Sequence, residues 1–129
     1  MRRDCSVCLL VGDYDEAIDF YCNKLELFEV ESDNDFGDGN RFVCLSFVDI
    51  RFLFAFQLCR PTRESAHLIG KQAGEHILVT FPIEDAETML DRLARSGVEP
   101  KQVNRLPYGV QIKVKDCVGN TISMFEAFD

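Results

Sequence analysis

At 129 residues the chain has the size of one compact domain, long enough to bury a core. Apolar residues at 47% and charged residues at 28% exclude a disordered or low-complexity chain, and no apolar run reaches the ~20 residues of a membrane-spanning helix. With 14 basic against 22 acidic residues and a net charge of −8, the chain repels phosphate backbones, which excludes nucleic acid as a partner and weakly favours a cationic ligand.

The opening MRRDCSVCLLVGD carries two arginines and a short apolar stretch. Asp4 interrupts its start and Gly12-Asp13 ends it, so it reads as a strand and not a signal peptide, and the expected compartment is the cytoplasm. Ser6 to Val11 is the first strand. Asp13 and Glu16 form a capping-box-like start, and Tyr14, Ala17, Ile18, Tyr21 and Leu25 follow at helical spacing. Phe28 to Glu31 reads as a short strand, Ser32 to Asn40 as a turn-rich loop, and Arg41 to Phe47 and Ile50 to Leu58 as two further strands. Arg60 to Gly74 is a connector with one or two helical turns near Glu64 to Ile69. A strand over His76 to Phe81 and a helix over Pro82 to Ser96 come next, with Ala86, Met89, Leu90, Leu93 and Ala94 on one face and Gly97 closing the helix. Pro100 to Leu106 and Val110 to Lys115 are strands, the latter alternating so that one face can be wet. Asp116 to Asn120 is a turn, and Thr121 to Phe128 is the last strand.

Six cysteines are present, at positions 5, 8, 22, 44, 59 and 117. Cys5 and Cys8 form a C-x2-C without a second pair at zinc-finger spacing, and residues three apart on a strand face opposite ways. Most of the others lie in apolar segments, so buried free thiols are expected instead of a metal site or a disulfide framework.

Strand, helix and three strands occur twice, separated by the connector: an internal repeat with module one at about 4–59, a linker at about 60–74 and module two at about 75–129 of a single domain. Sliding the chain on itself pairs Ser6 with His76 and Leu53 with Ser123, with DEAIDFY and EDAETML one residue out of step. A four-stranded sheet of this size cannot bury itself, so the sheets are expected to curve around a shared cleft, the default ligand site.

VGDYDEAIDFYCNKLELFEV (11–30), GKQAGEHILVTF (70–81) and LPYGVQIKVKDCVGNTISMFE (106–126), in this order, resemble the vicinal-oxygen-chelate superfamily of glyoxalase I, bleomycin-resistance proteins and extradiol dioxygenases. The resemblance covers nearly the whole chain and implies an α+β fold of two tandem βαβββ modules, with curved mixed sheets around a cleft, and a homodimer. In metal-dependent members, His, Glu or Gln side chains on the first and last strands of both modules hold a divalent ion that polarises a substrate bearing two neighbouring oxygens. Carried across, those positions are Ser6, Leu53, His76 and Ser123. Only His76 ligates a transition metal well, and the neighbours Cys5, Val7, Phe52, Phe54, Ile122 and Met124 do not restore the set. No metal and no other cofactor is therefore expected.

The function that follows is binding of a small, aromatic or cationic molecule at Ser6, Leu53, His76, Tyr108 and Ser123, in the manner of the bleomycin-resistance proteins, without nucleic acid or membrane as partner. The alternative is a metal-dependent lyase, isomerase or dioxygenase of the same superfamily, with His76 as the sole catalytic candidate; a third reading is a regulatory domain with a vestigial cleft. Each residue also has a plain role open to it: His76 as a packing strand residue, Ser6 and Ser123 as ordinary sheet positions, Tyr108 as a turn aromatic, and His67 as a surface side chain. Without a G-x-S-x-G elbow a serine hydrolase is excluded. The acidic stretch Asp33 to Gly39 has Gly37 and Cys44 where a calcium loop needs ligands. Phe52, Phe54 and Phe56 share a strand face, either core or the wall of an aromatic-tolerant pocket.

Overall fold

In the computed structural model, which describes residues 4–129, the chain divides into two compact units, one ending at Ile69 and the other beginning at Gly70. The arginine-bearing start, Met1–Arg3, lies outside the described residues. Each unit is one βαβββ module. The first consists of β1 (Cys5–Leu10), α1 (Tyr14–Ile18) running into a π-helical turn (Asp19–Lys24), β2 (Phe28–Gly37), β3 (Asn40–Phe47) and β4 (Phe54–Cys59). The second consists of β5 (Ile77–Pro82), α2 (Ala86–Arg95), β6 (Gln102–Leu106), β7 (Gly109–Lys115) and β8 (Thr121–Ala127). The sheets have orders β1-β4-β3-β2 and β5-β8-β7-β6; β1–β4 and β5–β8 are parallel and the remaining pairs antiparallel.

The two helices start in the same way. Asp13, in extended conformation, accepts the Asp15 and Glu16 N–H groups on Oδ1 at 2.9 and 3.3 Å, and Asp85 accepts those of Glu87 and Thr88 at 3.0 and 3.4 Å. The repeat is therefore in step at these caps, and the one-residue offset read from the letters is corrected. Matching Asp13 with Asp85 makes Leu78, not His76, the counterpart of Ser6. Strand pairing then makes Gln57, opposite Cys8, the counterpart of Ser123, opposite Thr80. The wide Leu25 N–H to Phe20 carbonyl bond (3.0 Å) ends the first helix, yet Tyr21 and Leu25 both stay fully buried, as their spacing requires.

In the first unit Tyr21 meets Phe28 and Phe56 at ring separations of 5.6 and 5.2 Å, and Phe28 stacks on Phe56 at 5.2 Å. The phenylalanine row of β4 thus belongs to the core under the helix. In the second unit Phe81, Ile112, Val114, Ile122 and Met124 form the buried sheet face, and Met89 and Leu93 of α2 are buried with them.

Three expectations need correction. The stretch read as a loop continues β2 as far as Gly37, because Asp33 and Asp35 pair with Val43 and Arg41 across the hairpin, with bulges at Val30/Ser32 and Asp35/Gly37. Its charged residues suit an edge strand, where they discourage further pairing. The last strand of the first module begins at Phe54 and not Ile50, since residues 50–52 turn. Finally, Cys8 and Cys59 are joined as a disulfide. Parallel pairing sets Cys8 against Gln57, so Cys59 lies diagonally across on the same face, with a Cα separation of 6.1 Å, a placement local patterning cannot foresee.

The other cysteines are not uniformly buried: Cys5 is exposed, and Cys22, Cys44 and Cys117 are half-buried. Burial, and then the charge of Glu29, push the Cys22 thiol up to about 11. In denaturant without reductant, four thiols (Cys5, Cys22, Cys44, Cys117) are expected to react with iodoacetamide, against six after reduction. In the folded protein at pH 8, mass spectrometry should find Cys5 alkylated first and Cys22 only slowly. Six reactive thiols without reductant would contradict the Cys8–Cys59 pairing.

Gly70, at φ +74°, lies against the 116–120 turn, where an added Cβ would stand 2.1 Å from the Val118 carbonyl oxygen. Gly70→Ala is expected to cost about 1–3 kcal/mol from the backbone conformation alone, with the clash adding to it. A melting temperature unchanged from that of the parent would refute this.

Candidate functional site

Each sheet has one face under its helix and one facing away. In the second unit the helix side is fixed by Glu126, whose Oε1 accepts the Ala86 N–H at 2.8 Å. That bond removes Glu126 from the opposite face. Strand alternation and register leave Thr80, Thr121, Ser123, Lys113 and Gln102 on the face away from α2. In the first unit the corresponding face carries Ser6 and Cys8, Ala55 and Gln57, and Cys44 and Ser46.

These away-facing surfaces are polar, unlike the helix-facing ones. In the first unit the Ser46 hydroxyl donates a short hydrogen bond to the Glu31 carboxylate, and the Cys44 thiol lies 3.8 Å from the same oxygen. Burial, followed by the Glu31 charge, raises the Cys44 pKa, so that sulfur stays protonated and is a weak nucleophile. In the second unit a pocket of about 430 Å³ opens at the end of the sheet where β5 and β8 begin, with Lys113, Thr121, Gln102 and His76 among its walls. Directly across the strand pair from Lys113 is Ser123, fully buried, whose Oγ has no hydrogen-bond partner among the described residues. A buried hydroxyl left unsatisfied costs about 1–3 kcal/mol.

Of the residues singled out from the sequence, Ser6 and Ser123 lie on the away-facing surfaces. Leu53 does not lie on a strand; it is 49% exposed, and its carbonyl accepts the Cys5 N–H at 3.0 Å. His76 precedes β5 in a turn, its N–H on the Ala73 carbonyl at 3.1 Å, and its exposed side chain lines the pocket. Tyr108 occupies the two-residue hairpin between β6 and β7, 63% exposed, 6.2 Å from the Phe125 ring. That hairpin is at the opposite end of the sheet from His76. His76 and Ser123 are thus gathered around Lys113, while Tyr108 is not.

Sequence reasoning missed Lys101, Gln102, Lys113 and Thr121 as a group. The signal for Lys113 was the apolar–polar alternation of β7, but only the β6–β7–β8 register joins it to the others.

The away-facing positions of the first and last strands offer hydroxyls, the Gln57 amide and two sulfurs already bonded to each other. Among the described residues, no three His, Cys, Asp or Glu side chains come together as a metal site would need. Nor is any helix, among the described residues, long and apolar enough to cross a membrane.

Comparison with known proteins agrees with this architecture. The crystal structure of UcmS2 superposes with a TM-score of 0.77 at 26% identity, covering 95% of this chain and 96% of that one. TnmS3, an antibiotic binding protein from Streptomyces sp. CB03234, gives a TM-score of 0.74 at 18% identity over 99% and 98% of the two chains, a likeness of fold alone. A protein of Shewanella frigidimarina (strain NCIMB 400) is 28% identical over 125 residues, which is 95% of this chain and 92% of that protein. The family model for the Glyoxalase/Bleomycin resistance protein/Dioxygenase superfamily matches residues 6–124, in keeping with the two βαβββ modules and their chain order, and the chain belongs to that superfamily.

Proposed function

We propose that this protein binds a small organic molecule on the away-facing surface of its sheets and does so without a metal ion. The observation that carries the reading is the pocket of about 430 Å³ on the polar face of the second unit, a volume in the usual range for small-molecule sites. Support comes from the likeness to TnmS3, an antibiotic binding protein, and from the lack of a ligating set at the strand positions. Binding here is sequestration, with the Cys44 thiol held protonated and so a weak nucleophile. The active form in this reading is a homodimer, which light scattering on the purified chain tests.

Purified protein challenged with Ni²⁺, Zn²⁺, Fe²⁺ and Mn²⁺ and then desalted should retain no stoichiometric metal. In a thermal-shift screen a genuine ligand at a hundredfold excess over its Kd should stabilise the fold by about 2.7 kcal/mol. Tight stoichiometric metal that is lost in His76→Ala would overturn the reading in favour of a metal-dependent lyase, isomerase or dioxygenase.

A further inference from the structure

We infer that the pocket of the second unit takes the carboxylate end of an organic anion. The inference rests on the binding reading above and names the ligand class for that site. Two lysines line the pocket, Lys101 and Lys113, and Glu75 is the single acidic residue in its wall. Among the described residues neither lysine makes an ion pair, although the chain has 22 acidic and only 14 basic residues. Other cations, Lys71 and Lys115 among them, share this lack of an ion pair; what sets Lys101 and Lys113 apart is that both line one cavity. Where acids outnumber bases, two cations left unpaired around one cavity stand ready for an incoming negative charge.

The geometry restricts that charge to a small group. Lys113 is half-buried in β7, between Gln102 on β6 and Ser123 on β8. Lys101 is brought beside it by its own N–H, which donates to the Lys113 carbonyl at 2.7 Å. Thr121 contributes a hydroxyl and His76 a ring nitrogen on the β5 side. A carboxylate has about four lone-pair sites, which two ammonium groups and a hydroxyl can fill. Ile77 in the same wall gives an apolar surface for the organic body. Net charge governs the approach of a ligand over a Debye length, but the groups at contact distance decide what is held. The cationic ligand favoured by composition is therefore not the one this pocket fits.

The test is a titration of ¹⁵N-labelled full chain, followed by two-dimensional NMR, with 2-naphthoate, its uncharged amide and 2-naphthylmethylammonium. The carboxylate should move the amide signals of Lys101, Gln102, Lys113 and Thr121, and should bind about tenfold or more tightly than the amide. Lys113→Met and Lys101→Met should each weaken naphthoate by about tenfold, while Lys115→Met on the same strand leaves it unchanged. Signal dispersion in the same spectra reports whether each variant is folded, and the two lysine variants are independent of each other. If the amide or the ammonium compound binds in this pocket as tightly as the carboxylate, the anion assignment falls and the binding reading stands. If none of the three probes moves signals on this sheet, the anion assignment falls and the site proposed for binding falls with it.

Discussion

Truncating Phe56 to alanine is expected to remove about 3–5 kcal/mol of stability, read as a lower urea midpoint at unchanged slope in far-UV circular dichroism. Phe56 is fully buried on β4 and meets three aromatic rings from three other positions: Tyr21 on the helical segment at 5.2 Å, Phe28 on β2 at 5.2 Å and Phe54 on its own strand at 5.2 Å. Removing the ring leaves a cavity in the middle of that cluster, and rigid aromatic neighbours collapse into it poorly. Phe52 provides the control. It was grouped with Phe56 by alternation, but it lies before β4 and is 43% exposed, so Phe52→Ala should cost less than about 1 kcal/mol. Equal losses at the two positions would contradict the placement of the core under the helix.

A second large effect is expected at Asp116, where alanine should cost about 2–4 kcal/mol, counting roughly 1 kcal/mol for each backbone donor left without its partner. The side chain is 6% exposed. Its Oδ1 accepts the N–H groups of Val118, Gly119 and Asn120 at 3.1, 2.9 and 2.8 Å, and Oδ2 accepts the Asn120 Nδ2 at 3.2 Å. One carboxylate thus replaces, for three donors, the partners that a strand would have provided. Asp116→Asn keeps one acceptor oxygen and should lose less than half as much. The consequence reaches the site, because this turn feeds directly into β8, where Thr121 and Ser123 lie on the pocket side of the sheet. Hydrogen exchange should therefore show Thr121 and Ile122 losing protection before the middle of β7 does. Alanine and asparagine variants of equal stability would mean the turn does not depend on the carboxylate.

Taken together, these residues separate what can be read along the chain from what needs the chain folded. The strand–helix–strand order repeated twice, the helix start at Asp13, and the burial of Tyr21, Leu25, Met89 and Leu93 were all legible, whereas the second helix, read from Pro82, starts only after its cap at Asp85. Caps and periodicity act between residues a few positions apart, so the sequence states them directly. The motifs at 11–30, 70–81 and 106–126 likewise carried the superfamily, which the match over residues 6–124 bears out. The length of β2 was not legible: its charged residues mimic a loop, and only the partner strand β3 reveals that their backbones are paired.

The site depended on the tertiary structure for the same reason. Which residue shares a place with Ser6 or Ser123 is decided by strand register: a slip of one position turns every side chain to the other face, and slips of two to four carry a residue past the end of its strand. That is how Leu53 and His76 came to stand where register puts Gln57 and Leu78. The Cys8–Cys59 bond and the meeting of Lys101 with Lys113 join residues distant in the chain, through contacts that exist only once neighbouring strands are in place. By itself the sequence determined the modules, their helices and the family; the tertiary structure alone decided which polar side chains share a face, because strand pairing is a property of two segments and not of either one.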